Sequence, residues 1–387
     1  MSIFIGVDVA KYEHVASAFD SSTGELVVDS LHFNNNVEGF NALLSALSKF
    51  DDCIFGFEST AHYHQNLFSF LSSKKFKCYL LNPIQTCRFR GLSIRNAKND
   101  NIDSRSIAQF LMFSSEELIQ EDFNQNDLKE LCTQRDDLLK ESSKLKTQLL
   151  SYLDRVFPEL ESIVGKTGIH SKAIYAVLKE CPTAKRISST RIDHLIHLSN
   201  VASGKKFKEE KIRSIKEASK NSVGFDSAAL ALKIKQTIES LEHIKRQINE
   251  VNNAIQENPS VCESPLHKIK GMNSIEIAYI MSAIVNIARF DSIKKVVAYA
   301  GLDPIVRQSG TFNASRTRMS KRGNKILRYA LIWAANNVRK HNSDMKDYYL
   351  KKRSEGKNHY NALGHCAVKL IRYIYWVLNH PNEDFSN

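Results

Sequence analysis

The chain has 387 residues, a formal charge of +12 and 42% hydrophobic residues, enough for two or three domains with cores of their own. Its seven cysteines are scattered, odd in number and without a CxxC pair, which excludes a disulfide framework and reads as reduced thiols filling cores. No apolar run approaches the ~20 residues of a membrane span and no signal pattern precedes the first strand, so a soluble, cytoplasmic protein with no membrane contact is expected.

Residues 2–8 (SIFIGVD) form a short apolar run suited to a buried central strand. VASAFD and ELVVDSLHF flank the turn residues SSTG and read as a hairpin. Between Val37 and Phe50, apolar Phe40, Leu43, Leu44 and Leu47 recur at helical spacing, and CIFGF and FKCYLL are two further buried strands. Strand, hairpin, helix, strand, helix, strand, helix is the element order of a ribonuclease H-like α/β domain, expected over 1–115.

The pattern then turns helical, with a coiled-coil middle expected over 116–262. Leu131, Leu138, Leu145, Leu149 and Tyr152 follow alternating steps of three and four, interrupted only by Arg135 and Ser142. Leu230, Ile234, Thr237, Leu241, Ile244, Ile248, Val251 and Ile255 do so without a break. Heptad seams of this length are expected to form a coiled coil between two chains, since cutting both strands of a duplex usually calls for two active sites, although two antiparallel helices packed within one chain would give the same seam. A small helical insert, residues 160–225, lies between them and is assigned no chemistry.

Four acids stand where strands end or a helix begins: Asp8 in IFIGVDVAK, Glu58 in CIFGFEST, and Asp100 with Asp103 in KNDNIDSRSIAQF. If the strands that end in Asp8 and Glu58 are adjacent and parallel, both acids emerge at the end of the sheet where open α/β sheets bind ligands. Asp100 and Asp103, three apart, share one helix face. Each acid taken singly could be a cap or a first-turn residue favoured by the helix dipole. Together they resemble an oxygen-donor set for Mg²⁺, the cation that clamps attacking and leaving oxygens in phosphoryl transfer. His62 and His64, at i and i+2, do not share a helix face and are left out of the set.

From Pro265 onward there are 21 Lys or Arg against 8 Asp or Glu, so the preceding residues sum to near neutrality. A cationic surface of this kind is rewarded by counterion release on nucleic acid. This mainly α third, 263–387, opens with LHKIKGMNSIEIAYIMSAI, which reads either as a helix-hairpin-helix able to hold a backbone phosphate or as a plain packing unit. Further on, Ser309 beside Gly310 in a loop precedes Arg316, Arg318, Lys321, Arg322, Lys325 and Arg328. A free hydroxyl near phosphate-neutralising cations suits a nucleophile, though Ser315 and Ser320 compete for that role.

GVDVAK, FEST, the KNDNIDSRSIA block, YAGLDP, QSG and SKRGNKILRYAL occur in the order and spacing of the DEDD transposases of bacterial insertion sequences, relatives of the Piv-type DNA invertases. The resemblance runs from the first strand to the last helical segment. It implies a RuvC-like catalytic domain with its acids on Asp8, Glu58, Asp100 and Asp103, and a transposase domain with its serine nucleophile on Ser309. It also implies donor and target DNA joined through a Holliday-type junction, a structured bridge RNA as guide, and a homo-oligomer, dimer or tetramer. The hairpin reads KGMNS where relatives often carry a proline and a second glycine, which weakens a phosphate-binding role for that turn. A rival with the same acids is a RuvC-like junction resolvase or nuclease using activated water. A rival of another class is a non-catalytic nucleic-acid scaffold whose acids only cap helices.

Overall fold

The computed structural model describes residues 2–58, 62–81, 86–87, 89, 100–114, 126–203, 209–305, 308–309, 312–313 and 318–385. They form two compact units, Met1–Asp127 with Ile284–Ala298, and Leu128–Ala283 with Tyr299–Asn387.

The first unit is built on strands β1 (Ser2–Val9), β2 (Glu13–Asp20), β3 (Leu26–Asn34), β4 (Asp52–Glu58) and β5 (Lys77–Leu81). Their order is β3-β2-β1-β4-β5. The first three pair antiparallel, while β1–β4 and β4–β5 are parallel. The hairpin turns at SSTG, where Asp20 Oδ1 accepts from Ser22 N at 2.8 Å and Gly24 takes a left-handed φ of +72°. Helix α1 (Val37–Ala46) joins β3 to β4, and α2 (His64–Ser73) joins β4 to β5.

Strand alternation gives this sheet two apolar faces. Ile3, Ile5, Val7, Cys53, Phe55 and Phe57 pack on one side with Phe40 and Leu43 of α1 and Leu67 and Leu71 of α2. Phe4 and Ile54 face the other way, against Ile107, Phe110 and Leu111 of α3 (Asp100–Ser114). Two glycines let α3 come that close. A Cβ on Gly6 would lie 2.2 Å from Ala108 N and 2.3 Å from Ser104 O, and one on Gly56 3.0 Å from Leu111 Cδ2. Gly6 and Gly56 are partners in the β1–β4 ladder, so together they form the floor of a trough that seats the helix.

The second unit is helical. Its long members are α4 (Asn126–Val156) and α8 (Ala228–Glu257), with α5 (Lys172–Glu180), α6 (Ile192–Ser203) and α7 (Glu209–Lys220) between them in sequence. Leu149, Leu153 and Val156 share a core with Leu230, Ile234, Ile238 and Leu241. At the opposite end Arg135 Nε donates to Asn252 Oδ1 at 2.8 Å. Rising numbers on α4 thus meet falling numbers on α8, and the helices are antiparallel neighbours. The apolar seams pack against each other within one chain, whereas the sequence favoured a coiled coil between two chains; their spacing fits both, because periodicity marks the buried face and not its partner.

Beyond these come α9 (Ser274–Ile284), α11 (Lys325–His341), α12 (Ser343–Ser354) and α13 (His359–Asn379), while most of α10 (Ile293–Ala300) belongs to the first unit. Leu327, Ala330, Leu331, Ala334 and Val338 line the buried face of α11, and Cys366, Ala367, Leu370, Ile371 and Ile374 that of α13. Small residues dominate that part of α11, as helix surfaces in close contact require. All seven cysteines are free. Burial pushes the Cys53 and Cys366 thiols up to about 11, as inert core residues. Among the described residues no helix is long and apolar enough to cross a membrane.

Candidate active site

Asp8 lies on the last turn-out of β1 and Glu58 ends β4. The parallel ladder pairs Gly6 with Gly56 and ends at Val7 with Phe57, and Asp8 and Glu58 each follow that last pair by one residue at the same end of the sheet. Each is two residues beyond a trough glycine, and side chains two apart share a face. Both acids therefore belong to the face that carries α3, at the carboxyl end of the parallel strands. Asp8 is half-buried and Glu58 only 7% exposed. A buried carboxylate needs donors, and Thr86, itself buried, supplies one: its Oγ1 donates to Glu58 Oε1 at 2.5 Å.

Asp103 comes to the same face from the helix. Residues 104–108 sit over Gly6, while Ile107 and Leu111 reach Phe4 and Ile54 farther toward the amino ends of the strands. The helix thus runs opposite to β1 and points its N-terminus at the strand ends that bear the acids. Asp103, 9% exposed, lies in that first turn. The residues after it anchor the helix. Ser104 Oγ and Ser17 Oγ are hydrogen-bonded at 2.8 Å, and Arg105 grips Asp29 of β3 with Nε at 2.8 Å and Nη2 at 2.7 Å. Hydrogen bonds from Ser30, then the guanidinium of Arg105, hold the Asp29 carboxyl below its usual range. Asp100 is the first residue of α3, with its backbone alone described.

The structure therefore brings Asp8, Glu58 and the start of α3 to one corner of one face. Among the described residues no group of three or more His, Cys, Asp or Glu is close enough to hold a metal ion. The donors nonetheless fit a hard divalent cation in kind, being carboxylate oxygens throughout. His64 opens α2 and is buried, and His62 lies exposed in the preceding turn.

The second constellation is knitted tighter than its sequence suggested. YAGLDP and MSKRGN form one antiparallel strap: Ile305 N donates to Arg318 O at 2.8 Å, Ser320 N to Asp303 O at 2.8 Å, Lys321 N to Gly301 O at 3.1 Å and Asn324 N to Tyr299 O at 2.7 Å. Ser320 Oγ is tied to Asp303 Oδ1 at 2.5 Å, so this competing serine is engaged as a brace. Gly301 has φ +66°, and a Cβ there would lie 2.8 Å from both Gly323 N and Arg328 Nη1. Lys321 takes φ +54°, a costly conformation for a residue with a side chain. Arg318, Lys321, Arg322 and Lys325 are exposed along this strap and the start of α11. Arg328 is half-buried and donates from Nη1 to Ala300 O at 3.0 Å, so part of its role is internal. Arg316 lies outside the described residues. Ser309 is in strand β6 (Gln308–Ser309), paired through its backbone with Phe312 of β7 (Phe312–Asn313). It is thus the last rung of a short hairpin rather than an open loop residue.

The turn before α9 differs from a phosphate-binding hairpin. Its first element is a four-residue 3₁₀ turn, Pro265–Lys268. The N-terminus of α9 is closed by a reciprocal capping box, with Glu276 N donating to Asn273 Oδ1 and Asn273 N to Glu276 Oε2, each at 3.0 Å. Glu276 is fully buried, and desolvation raises its carboxyl pKa against the opposing hydrogen bonds from Asn273 and Asn337. The box takes up two of the amides at this helix end, Asn273 N and Glu276 N, and sets a carboxyl group where a phosphate would sit.

Sequence reasoning passed over Gly6, Gly56 and Thr86. A signal for the glycines was present: GVD and GFE repeat the same glycine-x-acid spacing on two strands. Nothing in the sequence marked Thr86.

Two family models match this chain, in order and without overlap. The DEDD transposase model of the IS110 group, described as Transposase, matches residues 5–158, which include Asp8, Glu58 and α3. The second, described as Transposase IS116/IS110/IS902 family, matches residues 263–350, which include the basic strap. The chain is also 22% identical over 391 residues to the "Insertion element IS116 uncharacterized 44.8 kDa protein" of Streptomyces clavuligerus, covering 97% of this chain and 94% of that protein. An acid-bearing mixed sheet and a cationic helical region, both within transposase matches, define an enzyme that cleaves and joins DNA. The chain belongs to the IS110 family of DEDD-type insertion-sequence transposases.

Proposed function

We propose that this transposase joins donor and target DNA by serine attack on a phosphodiester, with Asp8, Glu58, Asp100 and Asp103 holding Mg²⁺ and Ser309 as nucleophile. The observation that carries the reading is that Asp8 and Glu58 each follow the last paired residues of neighbouring parallel strands, on the face that carries the helix bearing Asp100 and Asp103. The strand order β3-β2-β1-β4-β5, an antiparallel hairpin added to parallel strands, supports a RuvC-like, ribonuclease H-like domain over 1–115. A helical middle (116–262) and a transposase domain (263–387) complete the chain in this reading.

Bound there, Mg²⁺ would supply charge neutralisation at the scissile phosphate. The carboxylates hold their orientation through the protein's own scaffold, with Thr86 fixing Glu58 and the glycine trough fixing the depth of α3. The serine Oγ–P bond forms as a P–O bond to deoxyribose breaks, and the proton lost by the hydroxyl balances the one gained by the released sugar oxygen. The phosphoserine link conserves the bond for strand exchange through a Holliday-type junction. Arg316, Arg318, Lys321, Arg322 and Lys325 neutralise phosphates of the bound strands, with Arg328 bracing the strap. A structured bridge RNA guides the choice of target, and the protein works in the cytoplasm as a homo-oligomer, a dimer or tetramer.

The test is the pair Ser309→Ala and Asp8→Ala on purified protein with Mg²⁺, flank-encoded RNA and matching DNA. Both variants should lose strand joining, and Ser309→Ala should lose the covalent protein–DNA adduct. Cutting retained by Ser309→Ala and lost by Asp8→Ala would instead establish a nuclease that uses activated water. Joining retained by Asp8→Ala would leave the acids as helix and strand caps.

A further inference from the structure

The helical middle contains a groove of about 830 Å³ between α4, α5, α6 and α8. That volume is within the range of pockets that enclose a ligand-sized group. Its floor is apolar, from Leu139, Ala176, Leu198, Leu241 and Ile248. Lys146 of α4, Lys172 and Lys179 of α5, and Lys245 and Arg246 of α8 stand around it.

The charges around this groove do not cancel. Its two nearest carboxylates are already engaged, Glu242 by Lys179 at 2.9 Å and Glu180 by His194 at 2.8 Å. Lys146, Lys172 and Lys245 make no ion pair or hydrogen bond with any described residue. Exposed cations usually scatter among acids, whereas these three come from three separate helices and face one cavity. His170 adds no negative charge to offset them. Its Nδ1 meets Tyr175 OH at 2.9 Å, and burial, with Lys146 nearby, disfavours its charged form.

The geometry points to a groove that takes an unpaired stretch of a polynucleotide, its phosphates on Lys146, Lys172 and Lys245 and a base on the Leu139–Leu241 floor. A duplex would present phosphates alone and leave the apolar floor unused. An unstacked strand has both an anion and a flat face to bury. The groove shares no residue with the four acids or the basic strap, and it gives chemistry to a region in which the sequence showed none. It rests on the reading of this chain as an enzyme that handles nucleic acid. RNA and DNA offer the same phosphate and base, and the experiment distinguishes them.

Binding of fluorescein-labelled oligo(U), oligo(dT) and a mixed-sequence duplex to the full chain is followed by anisotropy across a salt series. Each phosphate contact with a single strand contributes about 0.7 to the slope of log affinity against log salt. Lys146→Glu with Lys245→Glu should weaken single-strand binding at least about tenfold and lower the slope by about 1.4. The duplex should bind as before through the cationic strap. Loss confined to oligo(U) assigns the groove to RNA, loss confined to oligo(dT) assigns it to DNA, and loss of both assigns it to the shared backbone. Lys144→Glu, also exposed on α4 but outside the groove, controls for net charge against the single variant Lys146→Glu, which should weaken single-strand binding on its own.

Single-strand affinity and salt slope unchanged in the double variant would overturn the proposal, as would an equal loss in Lys144→Glu. If charge reversal unfolds the helices, as circular dichroism would reveal, Lys146→Gln with Lys245→Gln tests the same contacts with half the charge change. Strand joining by Asp8→Ala is scored separately, so failure of the catalytic reading and failure of the groove give different results.

Discussion

Replacing Gly6 by alanine tests the trough that positions the acids without touching an acid. The added Cβ would sit 2.2 Å from Ala108 N and 2.3 Å from Ser104 O, where ordinary contact begins at 3.4 Å. The helix must retreat by about 1.2 Å, because the colliding atoms are backbone and no rotamer relieves them. Overpacking of this kind costs about 1–3 kcal/mol, and a backbone collision belongs at the upper end. For a unit of this size that lowers Tm by roughly 6–12 °C. The same retreat carries Asp103 away from Asp8 and Glu58, and a misplacement of about 1 Å can slow catalysis roughly a hundredfold. Calorimetry and a strand-joining assay below the melting range read the two effects separately. Gly56→Ala provides the scale, since its new Cβ would meet side-chain atoms of Leu111 and Leu81 at 3.0–3.3 Å, which can turn aside. A Gly6→Ala protein with parental Tm and parental joining rate would show that α3 does not owe its position to that glycine.

Thr86→Val should leave the sheet folded but remove a hydrogen bond to the buried Glu58 carboxylate, worth roughly 1.5–3 kcal/mol. We expect about a tenfold or greater fall in joining rate and a higher Mg²⁺ requirement, and an unchanged metal titration would count against it. Arg105→Met should cost less than about 1 kcal/mol by urea unfolding, because its pair with Asp29 is at the surface. A much larger loss would mean that this clamp, rather than the glycine trough, seats the helix. Glu276→Gln addresses pH. Burial raises the folded pKa of Glu276 above its ordinary 4.5, so its stabilising share is full below 4.5 and is lost as pH rises through the folded value. Glutamine should flatten that part of the Tm–pH curve and stabilise the protein relative to parent at neutral pH. A parental slope in the variant would place the titration elsewhere.

The strands and their order could be read because each was a short apolar run closed by turn residues. The placing of Asp8 and Glu58 at one end of the sheet followed once their strands were taken as adjacent and parallel. The helical seams were legible as seams, but periodicity reports which face is buried and not what buries it. The pairing of Arg135 with Asn252, 117 residues apart, had no local signal. Thr86 was illegible for the same reason: its meaning lies in a contact with Glu58 across a distant part of the chain. YAGLDP and SKRGN were each visible as motifs, whereas their union into one strap depends on main-chain hydrogen bonds that any residue can make.

The discontinuity of the first unit bears on the timing of synthesis. Residues 1–127 supply its sheet and α3, but Ile284–Ala298 belongs to the same compact body and emerges much later. At ordinary elongation rates the earlier part waits roughly 10–35 s for its last segment. A prematurely released fragment would lack that segment even with all four acids present. The unit that carries the four acids is therefore completed only when most of the cationic third is also about to appear, which, on the proposed function, disfavours a stray nuclease among unfinished chains.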